Sequence, residues 1–226
     1  MQNLKIVFED NHIIVVEKPP NIPSQADRTE DMDMLTIIKQ YIKEKYNKPG
    51  NVYLGLVHRL DRPVGGIMIF AKTSKAASRL GEQVREKIFK KKYLAVVDGK
   101  FEQKEGILED YLYKDERNNV SRVVNKNKKN AKLAKLDYKV LKYSEVKKLS
   151  LVKINLYTGR HHQIRVQLSN FEHSIFGDQK YGTRGKGKQI ALWAYELSIQ
   201  HPVTKKEMTF QDLPEPIGTW CILREE

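Results

Sequence analysis

The chain opens on paired apolar runs. Residues 4–18 read Leu-Lys-Ile-Val-Phe-Glu-Asp-Asn-His-Ile-Ile-Val-Val-Glu-Lys. Two short β-branched runs flank the polar turn Glu9-Asp10-Asn11-His12, which predicts a hairpin. Pro19, Pro20 and Pro23 then end the second strand in an extended loop. Leu35, Ile38, Ile42 and Tyr46 share a helical face, so Met34–Tyr46 is predicted as a helix stopped by Pro49-Gly50. A short apolar run, Val52–Val57, precedes the polar loop His58-Arg59-Leu60-Asp61-Arg62-Pro63. Beyond Gly65-Gly66, Ile67–Ala71 reads as a buried strand. Thr73 or Ser74 caps the next helix, with Ala76, Leu80 and Val84 on its inner face.

Later segments follow the same logic. Lys91–Val97 is a strand. Residues 114–136 are polar and Lys-rich and read as a long, mobile hairpin or loop. Residues 137–143 and 150–157 are strands, His161–Asn170 is a helix, and Ile190–Ile199 with Glu207–Phe210 finishes the sheet. Strands outnumber helices, and most successive strands lie close enough in sequence to pair antiparallel. The pattern predicts an α+β fold: a mixed, mainly antiparallel central sheet with flanking helices and loops. With no Gly/Ser/Pro-rich linker and no internal repeat, residues 1–226 are expected to form a single domain.

Composition narrows the class. Apolar residues make up 40% of the 226, which excludes a disordered chain. The lone Cys221 excludes an intramolecular disulfide and a cysteine zinc cluster, and a reducing cytoplasm is the simplest compartment. Lys5, Glu9 and Asp10 interrupt any N-terminal apolar core of a signal peptide, and no apolar run approaches the ~20 residues of a membrane span. A soluble protein is expected. Lys and Arg total 41 against 28 Asp and Glu, a net +13. Such an excess favours a polyanionic partner, because each cation near a phosphate releases a condensed counterion. A lysine-rich proteome would give the same balance.

Three places carry candidate chemistry. Asp61 sits in a polar loop between Arg59 and Arg62. An aspartate there is as readily a turn former, but cations on both sides keep a carboxylate ionised and able to act as nucleophile or base. The same arginines suit RNA phosphates or the gap left by an extruded base. Gly159-Arg160-His161-His162-Gln163-Ile164-Arg165 offers donors for phosphate, base edge or carboxylate, or is a solvated surface helix. The adjacent histidines point about 100° apart on a helix, with no Asp, Glu or Cys at ligand spacing, so no metal site is expected. Tyr93 follows Lys90-Lys91-Lys92 and is either a core aromatic or a ring that stacks on a base while lysines meet phosphates.

His58-Arg59-Leu60-Asp61, followed by Gly66 and a strand ending Phe70-Ala71-Lys72, resembles the signature of the RluA-type RNA pseudouridine synthases. Further ordered matches run along the chain: Glu9-Asp10 to Pro19, Lys92–Val97, Gly159–Val166, and Gly177-Asp178 with Tyr181-Gly182. Two departures stand out. Val64-Gly65 replaces the family's usual Thr-Ser, and His161 replaces its threonine. The small N-terminal S4 domain that many relatives carry is not seen, and the catalytic strands are expected almost from Met1.

The resemblance implies isomerisation of uridine to pseudouridine in structured ribosomal or transfer RNA, by an Asp-dependent reaction with no cofactor. It makes Asp61 the essential aspartate, Tyr93 the active-site tyrosine and Arg165 the arginine that pairs with the aspartate. Arg59 would help to displace the target base, and Ile164 and Leu192 would line the uracil pocket. Arg62, Arg160, His162 and Gln163 join the expected RNA-binding set, with basic loops at 85–92 and 122–135 gripping the flanking strand. RNA loops are favoured over duplex, because A-form grooves hide base edges. A monomer is expected. A catalytically silent RNA-binding module and an RNA-cleaving or base-removing hydrolase are the competing classes.

Overall fold

The computed structural model describes residues 4–27, 29–182, 187 and 189–224. The chain packs as two compact units, residues 1–90 with 194–213, and residues 91–193 with 214–226.

The first unit begins with the expected hairpin. Strand β1 (Ile6–Glu9) pairs antiparallel with β2 (Ile13–Lys18). Helix α1 (Met34–Lys45) starts where the Asp33 side chain accepts from the Thr36 amide, and it buries Met34, Ile38 and Ile42. A two-residue strand β3 (Gly55–Leu56) pairs with β4 (Gly65–Ala71), so the Val52–Val57 run yields only a short strand. All seven residues of β4 are buried, as its unbroken apolar run requires. Helix α2 (Ser74–Arg85) is capped by Thr73, whose hydroxyl accepts from the Ala76 amide.

One expectation fails on α2. Val84 is 38% exposed, and Gln83 takes the inner position. The Gln83 amide closes two hydrogen bonds to the Gln200 backbone, donating to its carbonyl at 2.7 Å and accepting from its N–H at 2.9 Å. A buried polar side chain with both partners satisfied displaces an apolar one at little cost. The core of this unit joins Ile13 and Val15 to Ile67, Ile69, Ala71, Ala76, Leu80 and Phe89, and to Leu197, Ile199 and Phe210.

The second unit begins with β5 (Lys90–Asp98). Of the two readings of residues 114–136, the hairpin holds and the loop does not: the segment runs from the end of β6 (Glu105–Asp115) into β7 (Val120–Val124), its antiparallel partner, and on to the start of β8 (Lys132–Ser144). Strand β9 (Leu149–Leu156) follows, and the order across the unit is β5-β9-β8-β6-β7, paired antiparallel. Helix α3 (Gln163–Asn170) starts two residues later than expected, because His162 adopts a left-handed φ of 53°. Strand β10 (Leu192–Gln200) belongs to the first unit from Ala194 onward, where it pairs with β11 (Glu207–Gln211). In the first unit the order is β1-β2-β4-β10. A 3-10 turn, Gly218–Leu223, was not foreseen; its Ile222 packs with Val96, Leu149, Leu151 and Ala191.

Candidate active site

The Asp61 loop is held at every second residue. The His58 ring is buried and its Nε2 accepts from the Ile69 amide at 3.2 Å. Leu60 is buried, and its backbone closes a two-way clasp with the Ser24 hydroxyl, which donates to the Leu60 carbonyl at 2.8 Å and accepts from its N–H at 3.2 Å. The Arg62 carbonyl accepts from the Asn21 amide at 2.8 Å. Between these anchors stand Arg59, exposed, and Asp61, half-buried. The loop then turns, the Val64 amide donating to the Asp61 carbonyl at 2.9 Å. Val64 is 2% exposed, so the residue that departs from the family pattern serves as packing. Gly66 is required by geometry: its φ is +122°, and a Cβ there would lie 2.3 Å from the Ala194 carbonyl oxygen.

A buried ammonium sits within this loop. Lys18, fully buried at the end of β2, donates to the carbonyls of Pro19 (2.9 Å), Ile22 (2.8 Å) and Arg62 (2.9 Å). Burial pushes its pKa down to about 7; the Asp61 carboxylate opposes that shift and the Arg62 cation adds to it. Lys18 therefore ties the proline loop to the aspartate loop and places a titratable amine in the field of Asp61. The Arg62 guanidinium is turned toward its own unit. It donates to the Asn21 carbonyl (3.1 Å) and the Thr29 hydroxyl (2.8 Å) and pairs with Asp31.

The remaining expected residues lie in the second unit. Tyr93 is buried on β5, opposite Ile154. Arg165, on the first turn of α3, is 4% exposed. Its Nε and a terminal nitrogen each meet an Asp178 oxygen at 2.7 Å, a bidentate pair. Burial alone would raise the Asp178 pKa; the Arg165 hydrogen bonds and charge, with the Lys180 and Tyr181 amides, outweigh it and hold the carboxyl below its ordinary value. The Tyr181 ring lies over the guanidinium, 5.2 Å from its carbon. Gln163 is a scaffold residue here: its oxygen accepts from the Thr158 hydroxyl (2.7 Å) and the Arg160 amide (3.1 Å), and its nitrogen donates to the Lys135 carbonyl (3.1 Å). Arg160 is exposed and donates to the Leu133 carbonyl at 2.8 Å. The His162 Nδ1 meets the Tyr181 hydroxyl at 2.7 Å. Ile164 and Leu192 are buried apolar residues of the same unit.

A carboxylate on a pinned loop between arginines, and an arginine fixed by a buried acid, suit acid–base or nucleophilic work on a nucleic acid. Comparison with known proteins gives this a family. The model of the RNA pseudouridylate synthase family matches residues 12–170. The chain belongs to the RNA pseudouridylate synthase family. Its reaction class is the isomerisation of uridine to pseudouridine in RNA. An uncharacterized RNA pseudouridine synthase of Bacillus subtilis, YhcT, is 33% identical over 94% of this chain and 69% of its own length. The tRNA pseudouridine synthase C of Haemophilus influenzae is 30% identical over 91% of each chain. Human RNA pseudouridylate synthase domain containing 4 shares the fold at a TM-score of 0.79 and 22% identity, over 97% of this chain and 93% of that one.

Within this synthase fold, sequence reasoning missed three contributors. Lys18 could have been noticed as a cation closing a buried apolar strand just before Pro19. In the sequence Asp178 and Tyr181 read only as parts of a turn, because nothing local links them to Arg165, more than a dozen residues earlier. Among the described residues, no group of three or more His, Cys, Asp or Glu is placed to hold a metal ion. No helix among them is long and apolar enough to cross a membrane.

Proposed function

We propose that Asp61 is the catalytic carboxylate, and that Tyr93 and Arg165 serve the same uridine in ribosomal or transfer RNA. The observation that carries this is the anchoring of the Asp61 loop at His58, Leu60 and Arg62, with the Lys18 ammonium held by the loop's own carbonyl. Such fixation costs ordering entropy in advance and leaves the carboxylate aimed, which is what an attacking or proton-abstracting group requires. The reaction breaks the bond from ribose C1′ to uracil N1 and joins C1′ to C5. The C5 hydrogen leaves and N1 gains one, so no redox change occurs and no outside group enters. Asp61 attacks C1′, attacks the ring or abstracts a ribose proton; all three need it ionised. Arg165 keeps that charge favoured and Tyr93 stacks on the extruded base. Arg59 helps to displace the base, while Arg160, His162, Gln163 and Arg62 hold the surrounding RNA directly or through the backbone. Ile164 and Leu192 line the uracil site.

In this reading the chain works without a cofactor, as a monomer and a single catalytic domain in the cytoplasm. Pseudouridine mapping of total RNA from cells with and without the gene tests it. A ribosomal or transfer RNA site that disappears with the gene, and returns with the wild-type gene but not with Asp61→Asn, is expected. An unchanged map overturns the proposal.

A further inference from the structure

Beyond the residues assigned to chemistry, a continuous set of contacts runs from an outer hairpin to Arg165. The hairpin β6–β7 carries exposed cations: Arg117 at its tip, Arg122 on β7, and Lys126, Lys128 and Lys129 just beyond. The Lys128 ammonium lies over the Tyr113 ring, 5.4 Å from its centre. On β7 the side chains alternate, so Arg122 faces solvent while its neighbour Ser121 is 3% exposed and faces inward.

Ser121 is tied twice. Its backbone N–H donates to the Tyr181 hydroxyl at 2.7 Å, and its own hydroxyl meets His161 Nδ1 at 2.9 Å. His161 stacks on His162 with ring centres 3.7 Å apart, and His162 Nδ1 bonds the same Tyr181 hydroxyl at 2.7 Å. Tyr181 covers the Arg165 guanidinium, whose Nε and a terminal nitrogen are clamped by Asp178. Lys180 adds a tether, donating to the Asn119 carbonyl near the hairpin tip at 2.9 Å. The position where this chain departs from the family's threonine is thus the one that reaches the hairpin.

We propose that the β6–β7 hairpin is an RNA-contacting arm linked to Arg165 through Ser121, His161, His162 and Tyr181, with Ser121 and His161 as positioning residues. A polyanion gripping Arg122 and Lys128 loads the strand residue next to Ser121. Ser121 and His161 pass that constraint to Tyr181, and Tyr181 fixes the plane of the guanidinium. A threonine at 161, with a shorter side chain, would lose the stacked ring on His162. The inference rests on the role of Arg165 given above.

The test uses total RNA from cells lacking the gene, labelled with tritium at uridine C5, in single-turnover assays across enzyme concentration. Ser121→Ala and His161→Ala should each lower the maximal rate about tenfold while the half-saturating concentration changes less than twofold. A displacement remote from the chemistry acts on rate in this way. The double variant should be no slower than His161→Ala alone, since both substitutions remove the Ser121–His161 contact. Ser121→Thr, which keeps both the hydroxyl that meets His161 Nδ1 and the His161 ring stacked on His162, should recover most of the rate; this separates positioning from misfolding. Arg122→Gln with Lys128→Gln should raise the half-saturating concentration and flatten its salt dependence. Additive losses, or losses confined to half-saturation, would overturn the linkage while leaving the isomerase reading intact. Absence of turnover by the wild-type protein would overturn both.

Discussion

Replacing Lys18 by methionine separates stability from catalysis in this fold. Three part-buried carbonyls lose a donor at 2.8–2.9 Å. At about 1 kcal/mol each, that costs roughly 3 kcal/mol. Against it stands the burial of the ammonium, which moves its pKa from 10.5 to about 7. At about 1.4 kcal/mol per unit, relieving that shift returns roughly 5 kcal/mol. The two nearly cancel, so Lys18→Met at pH 7 should change unfolding free energy by no more than about 2 kcal/mol. Turnover should fall by about thirtyfold or more, because the Asp61 loop loses the cation that ties it to the proline loop.

The pH dependence has a definite sign. The folded state releases the Lys18 proton at a lower pH than the unfolded chain, so wild-type stability rises with pH between about 7 and 10.5. Between pH 7 and 9 this single group contributes about 2 kcal/mol, which the methionine variant lacks. Urea unfolding of both proteins at the two pH values, beside tritium-release kinetics, measures it. Parallel pH slopes, or full turnover by the variant, would refute the reasoning.

Two further substitutions probe the scaffold. Gly66→Ala forces a Cβ to within 2.3 Å of the Ala194 carbonyl oxygen at a φ of +122°; the folded yield should collapse, or unfolding free energy should drop by about 3 kcal/mol or more in denaturant titration. Asp178→Ala removes the bidentate partner of the buried Arg165 guanidinium and should cost about 3–5 kcal/mol by the same measurement. Because the Asp178 pKa is lowered, its contribution is present above pH 3.8 and is lost as pH falls below it, so the wild-type and alanine proteins should converge in acid.

The apolar strands are legible in the sequence because burial enforces pattern. The run Ile13–Lys18 and the apolar β4 could hardly be anything else. What escaped was polar structure with distant partners. Strand β6 alternates Leu108 and Leu112 with charged or half-buried residues, so its apolar signal is sparse. Pattern favours Val84 over Gln83 because the partner of Gln83 is the backbone of Gln200, far along the chain. The Asp61 loop was recognised from its arginines and its resemblance, but the tie through Lys18 depends on carbonyls of Pro19, Ile22 and Arg62, which no residue type reveals. His161 stood out only as a departure, and its contact with Ser121 became visible once β7 was placed.

The central claim is that Asp61 drives isomerisation of uridine in RNA. Joining C5 to C1′ must release the hydrogen on C5, so RNA labelled with tritium at uridine C5 reports the reaction directly. Wild-type protein should release tritium to water with the RNA chain intact. Asp61→Asn should bind the same RNA and release none. Comparable release by the variant, or strand scission and free uracil in place of tritium, would contradict the account.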